Sequence, residues 1–290
     1  MPELPDLEVY VGALSARIVG RAVRSAKVRN PFVLRTVDPP LAAIEGEPVQ
    51  AVRRQAKRIV VVFSDDLFLV IHLMIAGRLR WIERGRAPPA RITLATLEFD
   101  DGTLALTEAG TKRRASLHVV RGAGALAALD PGGVEIDDLD ARRFAATLRS
   151  ENHTLKRALT DPRILSGIGN AYSDEILHRA KLSPLALTAR VDDDAMQRLH
   201  RATRDVLHEW TERLRTEAAG AFPEKVTAFR PQMAVHGKFR QPCPVCGTPI
   251  QRIVYAENEC NYCPRCQTNG VVLADRALSR LLHKSFPREI

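Results

Sequence analysis

Met1-Pro2-Glu3-Leu4-Pro5-Asp6-Leu7-Glu8 opens the chain, and its reading decides the rest. Pro2 is small enough that removal of the initiator is expected, leaving a secondary amine as the first group. A free α-amine has a pKa of roughly 7.7–8.0, so an appreciable fraction is neutral near physiological pH. A neutral amine attacks a carbonyl-like carbon and forms a Schiff base. Glu3 stands beside it as a proton donor. Taken without context, the same stretch is an ordinary start in which Leu4-Pro5-Asp6 ends one segment and caps a helix. Leu4, Leu7, Val11, Leu14 and Ile18 then recur at helical spacing, with Asp6 as the cap and Gly20 as the stop.

Past that helix the texture changes. Val49–Arg54, Arg58–Phe63, Leu67–Leu73, Ile92–Phe99 and Thr103–Thr107 read as strands. Turn signals such as Ser64-Asp65-Asp66 and Asp100-Asp101-Gly102 separate them. Short strands at this spacing predict a β-sandwich or barrel. Asp130-Pro131-Gly132-Gly133 reads as a linker, and helical patterns follow at 140–150, 154–160, 169–179 and 192–218. Between two of these helices lies Ser166-Gly167-Ile168-Gly169-Asn170. Two glycines let backbone N–H groups approach a phosphate at a helix N-terminus, although a plain tight turn would use the same residues. Lys156 is either a nearby positive charge or a solvated surface lysine.

The 290 residues suffice for two cores. The net charge of +9 favours a polyanionic partner, nucleic acid first. No run of 18 apolar residues exists, so no spanning helix is expected. Glu3, Asp6 and Glu8 stand where a signal peptide carries bases, so a cytoplasmic protein is expected. All five cysteines lie between 243 and 266. Cys243-x-x-Cys246 and Cys263-x-x-Cys266 form two knuckles whose thiolates converge on one ion. Four sulfur ligands with no open position describe one structural Zn2+. Cys260 is left as a free thiol. Arg53, Arg54, Lys57 and Arg58, then Lys112, Arg113 and Arg114, form basic sets that suit a backbone-tracking groove or a solvated strand edge.

Together these features resemble the formamidopyrimidine-DNA glycosylase and endonuclease VIII family of repair enzymes, nearly end to end. The Pro2–Pro5 start, Lys57, His72-Leu73-Met74-Ile75-Ala76-Gly77, Lys156 with Gly167-Ile168-Gly169-Asn170-Ala171-Tyr172, and Cys243 to Gln267 carry the resemblance in order. It implies an α+β fold: an N-terminal β-sandwich with flanking helices (1–133), a helical helix–two-turns–helix domain (134–240), then a zinc-finger hairpin and C-terminal helix (241–290). It implies a monomer acting on damaged double-stranded DNA as a bifunctional glycosylase and abasic-site lyase. Pro2, Glu3 and Lys57 are the implied catalytic residues. His72, Ile75, Arg113, Arg114, Lys156 and Asn170 are the implied DNA contacts. The alternatives are a non-catalytic damaged-DNA-binding relative, or an enzyme mainly for oxidised pyrimidines or abasic sites. The chain also departs from the family. Ile75 replaces the methionine that fills the vacated stack, Ala115 replaces a phenylalanine wedge, and Asn258 falls near the zinc-finger arginine. The segment 222–236 matches the family's lesion-contacting loop poorly.

Overall fold

The computed structural model describes residues 1–224, 226–255 and 258–273. The helix expected at the end of 241–290 falls on 274–290, outside the described residues. The chain divides into two compact units: Met1–Pro131 with Trp210–Thr227, and Gly132–Glu209 with the chain from Ala228 onward.

The first unit begins with α1 (Leu4–Ile18). Its cap is Glu3, three residues before the expected Asp6. Asp6 instead sits in the first turn and accepts the Glu3 N–H at 3.0 Å, while the Glu3 carboxylate accepts the Asp6 N–H. This reciprocal capping box satisfies two N–H donors that a helix start leaves open. Leu7, Tyr10, Leu14 and Ile18 lie on one face and are fully buried.

Eight strands follow: β1 (Ser25–Val28), β2 (Ala51–Gln55), β3 (Arg58–Val62), β4 (Leu67–His72), β5 (Gly77–Glu83), β6 (Thr93–Phe99), β7 (Gly102–Glu108) and β8 (Ser116–Arg121), then a short helix α2 (Ala123–Ala127). They form two antiparallel sheets, ordered β1-β6-β7-β5 and β2-β3-β4-β8. Ile59, Val61, Leu69, Ile71, Leu117 and Val119 of one sheet share a core with Leu79, Leu97, Leu104 and Leu106 of the other and with α1. The arrangement is a β-sandwich. Each such side chain contributes about 1.5–3 kcal/mol of burial. The alternate residues Val60, Phe68, Val70 and Val120 pack on the opposite face with Leu126 of α2. That sheet is therefore covered on both faces, which explains why β3 and β4 read as unbroken apolar runs.

The second unit holds α3 (Ala141–Arg149), α4 (Leu155–Thr160), α5 (Asn170–Ala180) and most of α6 (Asp193–Ala218). Asp140 and Thr154 cap α3 and α4 by accepting the Arg143 and Arg157 amides. Trp210–Thr227, placed above within the helical domain, packs with the first unit: Val226 joins the sandwich core and Phe222 lies against it. The chain continues through the hairpin β9 (Gln251–Tyr255) and β10 (Asn258–Tyr262) to α7 (Pro264–Thr268).

Candidate active site and metal centre

Pro2 and Glu3 are buried at the head of α1. Burial pulls the terminal α-amine of Met1 below its usual pKa. Glu3 opposes this, Arg78 adds to it, Asp6 opposes it, and Lys57 adds to it. One ionic neighbourhood thus contains the amine, both acids of the capping box and two cations.

Lys57 reaches it from the β2–β3 hairpin. Gln55 pairs with Arg58, so Ala56 and Lys57 form a two-residue turn, and Ala56 takes a left-handed φ of 50°. Arg54 fixes that turn to α1. Its Nε donates to Glu8 Oε1 at 2.7 Å, and its guanidinium also donates to the Ala56 carbonyl at 3.1 Å. The basic run 53–58 is consequently split by strand alternation. Arg54 turns toward α1, while Arg53 and Arg58 lie on the other face of the sheet.

Arg78 donates to the carbonyls of Ile75 and Gly77, holding the β4–β5 turn that presents Ile75, which is 52% exposed. Gly77 is required here, because a Cβ would stand 2.3 Å from the Leu73 carbonyl oxygen. Arg113 and Arg114 lie on the loop before β8. Buried Glu108 accepts the amides of Arg114 and Ala115 at 2.9 and 3.0 Å, and Arg113 donates to the Arg91 carbonyl at 2.9 Å. Ala115 is buried beneath this loop. His72 ends β4. Burial first, then Arg58, Lys57 and His118, lower its pKa to about 4.

In the second unit, Gly169 caps α5, and Gly167 takes a left-handed φ of 79° in the turn before it. Lys156 and Asn170 do converge, and each makes contacts within this unit. Lys156 Nζ donates to the Asn170 carbonyl at 2.6 Å and to Asp174 Oδ1 at 2.5 Å; Asn170 Nδ2 donates to the Glu259 carbonyl at 2.8 Å. Asp174, fully buried, also accepts His236 Nδ1 and the Asn261 amide. Burial pushes its carboxyl up, yet Lys156 and His236 outweigh burial and hold it below its usual range. Next to it Glu175 accepts the amides of Ala234, Val235 and His236. Burial raises the Glu175 carboxyl above its usual range. These two acids tie the 234–236 segment to α5, and Asp174 ties β10 to it as well. Glu108, Asp174, Glu175 and His236 carry no sequence signal, since their partners lie far along the chain.

The ligand sulfurs of Cys243, Cys246, Cys263 and Cys266 lie within 4.8 Å of one another. Such a cluster of thiolates fits a tetrahedral zinc ion. Cys260 packs apart from it with Ile253 and Tyr262. His178 of α5 places Nε2 3.3 Å from Cys243 Sγ. Among the described residues no helix is long and apolar enough to cross a membrane.

Residues 1–116 match the formamidopyrimidine-DNA glycosylase N-terminal domain, 129–218 the formamidopyrimidine-DNA glycosylase H2TH domain, and 240–269 the zinc finger found in FPG and IleRS. The zinc-finger match and the cysteine cluster together assign one structural zinc to the chain. A formamidopyrimidine-DNA glycosylase of Solibacter usitatus is 33% identical over 279 residues, covering 92% of this chain and 99% of that protein. A solved MutM in complex with DNA containing carbocyclic 8-oxo-G superposes with a TM-score of 0.82 at 25% identity, covering 92% of this chain and all of that one. A Lactococcus lactis enzyme of the same name, bound to DNA containing FAPY-dG, gives 0.81 at 25% identity with the same coverage. The chain belongs to the formamidopyrimidine-DNA glycosylase family.

Proposed function

We propose that this protein is a bifunctional DNA glycosylase and abasic-site lyase whose nucleophile is the amine of Pro2. One observation carries the reading. Pro2 and Glu3 are buried side by side at the head of α1, where burial, Arg78 and Lys57 hold the neighbouring Met1 α-amine below its usual pKa. Loss of Met1 transfers the amine to Pro2. The neutral nitrogen attacks the anomeric carbon of a flipped nucleotide. The bond to the damaged base breaks, and the base leaves with the electron pair and takes up the proton that the attacking nitrogen releases. Glu3 gives a proton to the ring oxygen as the sugar opens. The product is an iminium ion, cationic because its nitrogen is secondary, and it acts as an electron sink. Proton loss from the sugar expels first the 3′ and then the 5′ phosphate.

Lys57 holds a phosphate near the amine. His72, Arg113, Arg114 and Asn170 position the strand, and Ile75 enters the space the base leaves. Lys156 acts at one remove, because its ammonium is already engaged with Asp174 and the Asn170 carbonyl. The zinc ion, held by Cys243, Cys246, Cys263 and Cys266, folds the hairpin and takes no chemical part. The solved relatives hold DNA with 8-oxo-G and FAPY-dG. Oxidised and ring-opened purines and abasic sites in duplex DNA are therefore the proposed substrates.

Borohydride trapping on an abasic duplex tests the reading. The wild-type chain is expected to form a covalent adduct, Pro2→Gly a weaker one, and a chain with one added N-terminal residue none. Undiminished trapping with the blocked N-terminus would move the nucleophile to a lysine. Glu3→Gln is expected to bind DNA without excising the base.

A further inference from the structure

The outer face of sheet β2-β3-β4-β8 changes character along its length. Against α2 it is apolar. Past that patch it carries Arg58, His72 and His118. Ile59 pairs with Ile71, which sets Arg58 opposite His72. His72 pairs with Ser116 and Val70 with His118, so the two imidazoles sit on adjacent strands and the same face, with one residue pair, Ile71–Leu117, between them. All three side chains are half-buried.

We propose that Arg58, His72 and His118 form a phosphodiester site that takes up a proton when a DNA phosphate occupies it. The inference rests on the DNA-repair reading above and extends the backbone contacts of Lys57 and His72 to Arg58 and His118. The groups facing His72 are Arg58 on β3, Lys57 in the hairpin turn and His118 on β8. Those facing His118 include Arg58 and Arg35, the latter on the segment whose amide donates to the Leu117 carbonyl. Asp130 is the carboxylate that acts on Arg58.

Burial and then this gathering of cations disfavour the protonated form of both imidazoles in the free protein. Burial, then Arg58 and its neighbours, depress the two histidines, His72 to about 4. Nδ1 of His118 is buried without a hydrogen-bond partner. A bound metal ion is disfavoured, because Arg58 and Lys57 repel it. A phosphodiester reverses the local field. It accepts N–H bonds from the guanidinium and the imidazoles and cancels the repulsion between them, so it raises the histidine pKa values. The sign follows. A bound-state pKa above the free-state value means proton uptake on binding. Affinity therefore rises as pH falls through the bound-state value and levels off below the free-state one.

The test uses the full-length protein and a duplex carrying a tetrahydrofuran abasic analogue. Its dissociation constant is measured from about pH 8 to about pH 5.5, and from about 50 to 200 mM salt at fixed pH. Wild-type affinity is expected to rise several-fold toward low pH. His118→Asn is expected to flatten that dependence. His118→Lys, permanently charged, is expected to keep the low-pH affinity at all pH values. Arg58→Gln, on a different strand, is expected to reduce the salt slope by about 0.9, the loss of one phosphate contact. Wild-type pH and salt slopes in folded His118→Asn and Arg58→Gln proteins would overturn this site alone. A wild-type chain that neither binds the duplex nor is trapped by borohydride would instead overturn the functional reading beneath it.

Discussion

Replacing Lys156 by Met separates two roles that the same residue could play. As a phosphate ligand it would contribute to DNA binding and little to folding. As built, its side chain is 11% exposed and Asp174 is not exposed at all. Its ammonium makes contacts of 2.5 and 2.6 Å to Asp174 and the Asn170 carbonyl. Removing one partner of a buried pair costs about 3–5 kcal/mol, because the other charge is left uncompensated. Lys156→Met keeps the apolar stem, and Asp174 retains His236 and the Asn261 amide as donors. The lower end, about 3 kcal/mol, is therefore expected. Asp174→Ala strands both Lys156 and His236, so the upper end, about 5 kcal/mol, is expected. At about 2–4 °C per kcal/mol for a unit of this size, Lys156→Met should melt about 6–12 °C below wild type. The double mutant should lose less than the sum of the single losses, since the pair is shared. Thermal and urea unfolding followed by circular dichroism measure this, and DNA affinity is measured separately on folded protein. A Lys156→Met protein that melts within about 2 °C of wild type, yet binds DNA with a salt slope lowered by about 0.9, would refute the structural role.

Other outcomes follow from the same geometry. Cys260→Ser should retain one zinc per chain, and Cys243→Ser or Cys266→Ser should lose it; elemental analysis decides, and zinc loss in Cys260→Ser would be wrong for this fold. Acid should destabilise the protein through His72. Its folded pKa of about 4 lies below the usual 6.5, so the unfolded chain binds the proton first. The stabilising effect of neutral His72 is complete above about pH 6.5 and is lost as pH falls toward 4, by at most about 1.4 kcal/mol per pH unit. His72→Gln should remove that part of the pH dependence of urea midpoints, and an unchanged dependence would count against it. Ile75 is exposed and Ala115 buried, and on the resemblance these two stand in place of the family's methionine and phenylalanine wedge. A stacked ring is worth about 1–3 kcal/mol, so discrimination among opposite bases should be weak and poorly stacked lesions favoured. Single-turnover excision of 8-oxoguanine opposite each of the four bases checks this, and a sharp preference for cytosine would contradict it.

The zinc centre and the helices are legible in the sequence, because their signals are local. The zinc ligands come in two x-x knuckles, and the helices at 141–149, 155–160, 170–180 and 193–218 carry their own periodicity and caps. The sequence signal places the start of α1 three residues too late. Asp6 resembles a cap, but its role in the reciprocal box depends on Glu3 turning back to meet it. β1, β5 and β8 were not among the clear strands. β1 is only four residues long, and β5 alternates arginines with apolar residues. Only the fold decided which residues share a face. Strand alternation sends Arg54 to Glu8 and its neighbours Arg53 and Arg58 to the opposite side, dividing what reads as one basic patch. Folding likewise pairs Lys156 with buried Asp174, and seats Arg58 beside His72 and His118. Caps, knuckles and helix faces arise between residues a few positions apart, so the sequence determines them by itself. Charge pairing and pKa depend on partners brought together by strand register and on the water that packing removes, and those exist only once the chain has closed on itself.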